Sequence, residues 1–272
     1  MTLMALLSFG REFVSVRGSD AASYLQAMVS NDVEALGPGE ACEALLLTPK
    51  ARVIAPMTVY RRSADDFLLL TDRGLAEPLR TALLRSRFAA KCEIEVEEHR
   101  SSLVVGSEAP PGTVPNRDYG LPAYEIIDGE PPREAVYAEL DELERLRILA
   151  RTPRWGNEID DRVLPAEAGL DERAIDFEKG CYPGQEPVAR LHYRGHPNRT
   201  LRVLEVVGVD LPAHDDEVTY EGKTIGRITS AVLNDGEGHL ALAYVRREVP
   251  ADAELRVGSR VARQLDLASA RP

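Results

Sequence analysis

Lys179-Gly180-Cys181-Tyr182-Pro183-Gly184-Gln185-Glu186-Pro187-Val188-Ala189-Arg190 lies at the centre of a segment, residues 152–200, with little helical or strand periodicity and many Gly, Pro and charged residues. An irregular stretch of that length inside a compact chain is usually functional or disordered. The residue types here are too specific for a linker. Gly180 and Gly184, four apart, suggest backbone turns that need positive φ or close approach to a neighbour. Between them Cys181 places a thiol, with Lys179 on one side and the Gln185-Glu186 amide–carboxylate pair on the other. A nearby ammonium would lower a thiol pKa and make it nucleophilic or redox-sensitive. Gln185 and Glu186 offer donors and acceptors of the kind that grip a planar heterocycle. On chemistry alone, an inert buried Cys181 fits as well as a reactive one.

Upstream, Gly18-Ser19-Asp20-Ala21 predicts a helix start, with Ser19 or Asp20 as N-cap and Leu25, Met28 and Val29 facing inward. Apolar runs 44–48 and 53–60, split by Pro49-Lys50-Ala51-Arg52, predict strand–turn–strand, continued by a strand at 66–70. Asp72 is placed to cap a helix from Arg73 to about Phe88, followed by strands at 92–97 and 103–105. Glu93 to Glu98 alternates charge with apolar residues, as the wet face of a strand does. Residues 106–122 read as a long loop, and 133–151 as an amphipathic helix through Val136, Leu140, Leu143, Leu146 and Ile148. From Leu201 the pattern changes to short strands at 202–207, 218–220, 223–232, 239–245 and 254–261, which predicts a small barrel.

The chain has 272 residues, enough for two or three units of about 100–200 residues each at most. We divide it into an α+β unit over 1–110, a second α+β segment over 111–197 interleaved with it, and a β-barrel over 198–272. The formal net charge of −12 repels a polyanion, and no Lys/Arg run marks a phosphate-tracking stripe, which excludes direct nucleic-acid binding as the expected role. Three dispersed cysteines, 42, 92 and 181, argue against a disulfide framework and for a reducing compartment. No CxxC is present and no metal site is expected. Met1 to Gly10 lacks the basic start of a signal peptide, and no apolar stretch is long enough for a membrane span, so a cytoplasmic protein is expected.

The string Lys-Gly-Cys-Tyr-x-Gly-Gln-Glu followed by Ala-Arg resembles the signature of the YgfZ-type folate-binding family, relatives of the glycine-cleavage T-protein. Val16-Arg17-Gly18-Ser19-Asp20-Ala21 with Ser30-Asn31-Asp32-Val33, Leu46 to Val53, Trp155 to Ile159, and Pro165 to Leu170 are similar to further stretches of that family in the same order. The resemblance implies an aminomethyltransferase-like α+β fold: a three-lobed ring of two intertwined α+β units plus a C-terminal barrel, with tetrahydrofolate in a central channel. It implies Cys181 as the reactive group beside the folate. Lys179, Gly180, Tyr182, Gly184, Gln185, Glu186 and Arg190 then form the cofactor-binding set, with Arg194 and Arg199 as weaker candidates for the folate's glutamate tail.

The same resemblance argues against a complete enzyme. Ala55 and Pro56 stand where the T-protein hairpin carries paired aspartates, and neither handles a proton. The T-protein segment that supplies a pterin-binding carboxylate is reduced to the region Asp118-Tyr119-Gly120-Leu121, with Glu167 or Glu186 as substitutes. The implied function is a tetrahydrofolate-binding auxiliary for iron–sulfur cluster assembly or repair, partnered by a reduced folate and by client or assembly proteins. Alternatives are a non-catalytic binding or scaffold module and a folate-dependent one-carbon transferase. A Cys–His hydrolase using Cys181 with His192 or His196 is a poorer reading, since Gly195 and Pro197 argue against a helix there and no orienting acid is evident.

Overall fold

The computed structural model describes residues 3–234 and 238–265. Met1 and Thr2, and residues 266–272 of the 198–272 unit, lie outside them. The fold is α+β: two five-stranded sheets and a closed six-stranded barrel.

Strand β1 (Met4–Phe9) enters one sheet, and the chain crosses at Gly10 into β2 (Arg11–Arg17) of the other. It stays in that second sheet through β3 (Ala41–Leu47), β4 (Val53–Ser63), β5 (Asp66–Asp72) and β6 (Glu93–Glu97), giving the order β3-β4-β5-β2-β6. It then returns to the first with β7 (Ser101–Val105), β8 (Val114–Asn116), β9 (Ala123–Ile127) and β10 (Val136–Tyr137), in the order β10-β1-β7-β9-β8. The two units are thus interleaved in sequence.

Alternation decides the faces. In β4, Val53, Ala55, Met57 and Val59 are buried while their neighbours are half-buried. One face of this sheet meets α1 (Ala21–Met28) and α2 (Ala76–Arg85) around Leu25, Phe67, Leu69, Leu79 and Leu83. The other face meets the first sheet, where Phe13, Leu68 and Leu70 touch Val114. Asp20 stands at the start of α1 as expected, but its carboxylate accepts from the Lys91 amide. Asp72 does not cap α2. Its carboxylate is taken by Arg11, and Glu12 Oε2 accepts from the Ala76 amide instead.

The helix expected over 133–151 is shorter. Residues 136–137 form β10, because the edge of β1 at Met4 and Ala5 accepts a parallel partner, and α3 runs Leu140–Leu149. Segment 152–200 is folded. It contains a single 3-10 turn (Pro165–Glu167), α4 (Asp171–Ala174) and α5 (Gln185–Arg194), and its apolar side chains join the β3–β4 hairpin to the barrel. The barrel closes in the order β11-β14-β13-β12-β15-β16, with β11 (Arg199–Val206), β12 (Glu217–Tyr220), β13 (Lys223–Leu233), β14 (His239–Arg246), β15 (Glu254–Val257) and β16 (Arg260–Gln264). The run 254–261 is therefore two strands, broken where Gly258 takes φ +61°. Among the described residues no helix is long and apolar enough to cross a membrane.

A charged clasp joins the two sheets. His99 Nδ1 lies 2.6 Å from Asp128 Oδ2 and Nε2 lies 2.8 Å from Glu97 Oε2, with the ring edge-on to Phe13. Burial opposes protonation of His99, but the two carboxylates outweigh it and raise its pKa. Glu97 is held down to about 2 by Arg62 and His99 against its own burial. A histidine with a raised folded pKa contributes stability that is complete below its unfolded value, about 6.5, and lost as pH rises through the folded value. The depressed Glu97 and Asp128 contribute stability present above the ordinary carboxylate range and lost as pH falls through their folded values. The urea midpoint of the wild type should exceed that of His99→Gln most near pH 6 and converge with it at alkaline pH. A difference independent of pH would contradict the clasp.

Candidate functional site

The signature residues divide by burial. Lys179 Nζ donates to the carbonyls of Gln26 at 2.7 Å, Val29 at 2.6 Å and Asn31 at 2.9 Å, pinning the signature to the segment that leaves α1. Burial lowers its pKa to about 8. Its charge acts on Cys42, whose thiol burial pushes up to about 12. Tyr182 is buried in the core between hairpin and barrel, and its hydroxyl has no hydrogen-bond partner among the described residues. Gly184 has φ +84°, and a Cβ there would stand 2.6 Å from the Thr48 carbonyl oxygen. Only glycine allows this approach of the signature to the β3–β4 turn.

Gly180 and Cys181 are exposed, Gln185 opens α5, and Glu186 and Arg190 pair with each other at 2.8 Å on its exposed face. Arg199 is bound to Glu167 and lies over the Tyr244 ring. Arg194 is exposed at the end of α5. His192 sits within α5, so a helix does form there. It begins after Gly184, carries Pro187 in its first turn, where proline is tolerated, and stops at Gly195 before His196. The His192 ring stacks on Phe177 at 3.8 Å, and no hydrogen bond links Cys181 to His192 or His196 among the described residues.

The polar centre of the molecule lies elsewhere. A cavity of about 70 Å³ is bounded by Arg11 of β2, Pro56 to Thr58 of β4, Asp72 of β5, Pro115 to Asp118 at and after β8, and Thr152, Leu170 and Arg173 of the irregular segment. None of the signature residues named above lines it. Arg11 is bonded to Glu125 at 3.0 Å, Asp72 at 3.0 Å and Asp118 at 3.3 Å. Arg173 grips Glu43 and reaches Asp118 at 3.0 Å. Burial would lower the Arg11 and Arg173 pKa values, but their carboxylates outweigh it and raise both. Asp118 is pulled down by Arg11 and Arg173 against its own burial. Pro56 lends its carbonyl to Thr71 and presents a ring to the cavity wall.

Each acid in this cluster is committed. Glu125 also accepts from Ser101 and Asn116, Asp72 from the Trp155 amide, and Asp118 from Asn116. Asp118, held low by its two arginines, recognises donors and is a poor proton acceptor. Sequence reasoning touched this centre at Asp118 and Pro56 and missed Arg11, Glu43, Asp72, Glu125 and Arg173, which share no local motif. A second cleft, of about 830 Å³, shares Arg11 and runs past Phe13 and His99. Among the described residues no three His, Cys, Asp or Glu side chains are grouped to hold a metal ion.

Residues 7–106, which include Arg11 and the β3–β4 hairpin, match the family model for the GCVT N-terminal domain. The chain is 29% identical over 283 residues to the iron-sulfur cluster assembly factor IBA57 homolog, mitochondrial, of Pyricularia oryzae, covering 90% of this chain and 72% of that one. It is 23% identical over 293 residues to the tRNA-modifying protein YgfZ of Enterobacter sp. (strain 638), covering 94% and 89%. The crystal structure of the glycine cleavage system aminomethyltransferase T from Bartonella henselae superposes with a TM-score of 0.82 over 97% of this chain and 85% of that one, at 18% identity. Together these likenesses support a YgfZ-type, GcvT-like family. The scaffold on which the ion-pair cluster is built is the aminomethyltransferase fold, and the β3–β4 hairpin forms one wall of the cavity.

Proposed function

We propose that this protein binds a reduced folate at the Arg11–Asp118–Arg173 cluster and acts as an auxiliary in iron–sulfur protein maturation without transferring an aminomethyl group. The observation that carries this is the state of the acids at the cavity. Pro56 stands on the hairpin wall of the cavity, Ala55 is buried on the other face of β4, and Glu43, Asp72, Asp118 and Glu125 are all bound to guanidinium. Among the described residues of this cluster, no carboxylate is left without a guanidinium partner.

The donor set suits a pterin in kind. Asp118 can accept from a ring N–H and the exocyclic amine, and Arg11 or Arg173 can donate to a ring carbonyl, the pairing such heterocycles demand. Met57, Ile159 and Leu170 supply apolar walls. The free volume of about 70 Å³ lies below the roughly 300–1,000 Å³ of ligand pockets, with Arg11 and Arg173 among the side chains that line it. Binding therefore requires the cavity to open, with Glu43, Asp72 and Glu125 still held by their arginines.

Cys181 is exposed and separate from the cavity lining, so any thiol chemistry it performs meets a partner protein at the surface. The maturation role draws support from the name of the Pyricularia oryzae relative. Purified protein supplied with the remaining glycine-cleavage components should give no turnover of aminomethyl groups. A cell lacking the protein should lose activity in iron–sulfur enzymes and regain it with the wild-type gene, but poorly with Cys181→Ala. Aminomethyl turnover, or full rescue by Cys181→Ala, would overturn the respective half of the proposal.

A further inference from the structure

We infer that Arg117 selects ligands by their anionic tail and so fixes the orientation in which a folate enters, an inference that rests on the folate reading above. Within the cluster, four carboxylates (Glu43, Asp72, Asp118, Glu125) face two guanidiniums (Arg11, Arg173). The interior is therefore richer in acceptors than in cations and suits the donor face of a heterocycle. It repels a carboxylate tail. Arg117 differs from the other two arginines on the cavity wall. It is exposed, and it has neither a hydrogen bond nor an ion pair to any described residue. It follows β8 directly, next to Asp118, so its guanidinium marks the solvent side of the same wall.

The arrangement is polar: acceptors inside, one uncommitted fork of N–H donors at the mouth. A folate has the matching polarity, a donor-bearing pterin at one end and glutamate carboxylates at the other. Guanidinium meets carboxylate in a bidentate fashion that lysine does not reproduce. The candidates read from sequence for this contact, Arg190, Arg194 and Arg199, are outside the cavity lining, and two of them are already paired.

The test is calorimetric titration of wild type and Arg117→Ala with tetrahydrofolate bearing one glutamate and with the form bearing three, at low and high salt. Wild type should bind the triglutamate form about tenfold more tightly than the monoglutamate, the scale of one exposed charge-assisted contact. Arg117→Ala should weaken the triglutamate form by close to that factor and the monoglutamate form, with its two tail carboxylates, by less, so that most of the preference is lost, and salt should shrink the preference in wild type. Equal binding of the two forms by wild type, or a preference kept by Arg117→Ala, would overturn the role of Arg117 alone. No binding of either form would overturn the folate reading and the inference with it. Arg117→Ala removes an exposed, unpaired side chain, so its fold is retained, and a thermal melt superposable on wild type checks this.

Discussion

Glu158→Ala should destabilise the protein by about 3–5 kcal/mol, the range found when one partner of a buried ion pair is removed. Glu158 is fully buried and bonded on every side. It accepts from Arg147 at 3.0 Å, from the Arg154 amide at 3.0 Å and from Ser230 Oγ at 2.6 Å, while its own carbonyl accepts from Tyr244 at 2.9 Å. Those partners come from α3, from the turn that follows it, and from two barrel strands. The residue is the polar pin between the barrel and the rest of the chain. Its loss strands the buried Arg147 guanidinium, whose remaining bonds run to Glu144 and the Thr152 carbonyl. For a chain of this size the melting temperature should fall by roughly 10 °C. Arg147→Ala alone should cost a similar amount, and the double variant less than the sum, because the second substitution removes the charge the first left unpaired. Strict additivity, or a loss under about 1 kcal/mol for Glu158→Ala, would show that the barrel docks by apolar contact alone.

Where periodicity was strong, the fold could be read directly. β4 alternates cleanly, while β3, β5 and β14 are short apolar runs bounded by turn residues, so pattern and length together assigned them. Elements shaped by their neighbours were less visible. Residues 136–137 carry a helical apolar spacing yet pair with β1, since an open strand edge outcompetes a helix end for two residues. Helix α5 hides behind Gly184 and Pro187, both residues that normally interrupt helices, because one provides a left-handed cap and the other sits in the first turn.

The site was less legible than the fold, for a physical reason. Gly184 announced a close backbone approach, and the Thr48 carbonyl 2.6 Å from its missing Cβ is that approach. The same string suggested that Lys179 serves the Cys181 thiol, whereas its ammonium is spent on three backbone carbonyls near Cys42. A run of unusual residues marks where the chain is constrained, and constraint can come from folding as readily as from a ligand. The ion-pair cluster left no such trace. Arg11, Glu43, Asp72, Asp118 and Arg173 are spread over some 160 positions and meet only because the chain crosses between its two sheets.

Asp118 is the carboxylate that Arg11 and Arg173 share, and its replacement bears on the central claim. Asp118→Asn keeps the side chain's shape and one acceptor but removes the charge that holds Arg11 and Arg173 and that would pair with a pterin's donors. Charge-assisted hydrogen bonds contribute about 1.5–3 kcal/mol each, so folate affinity should fall by about ten- to a hundredfold. Titration of wild type and Asp118→Asn with tetrahydrofolate in a calorimeter measures this directly. Micromolar binding by the wild type, weakened at least tenfold in Asp118→Asn, is the predicted result. Absence of binding, or equal affinity in the two proteins, would contradict a folate site at the ion-pair cluster.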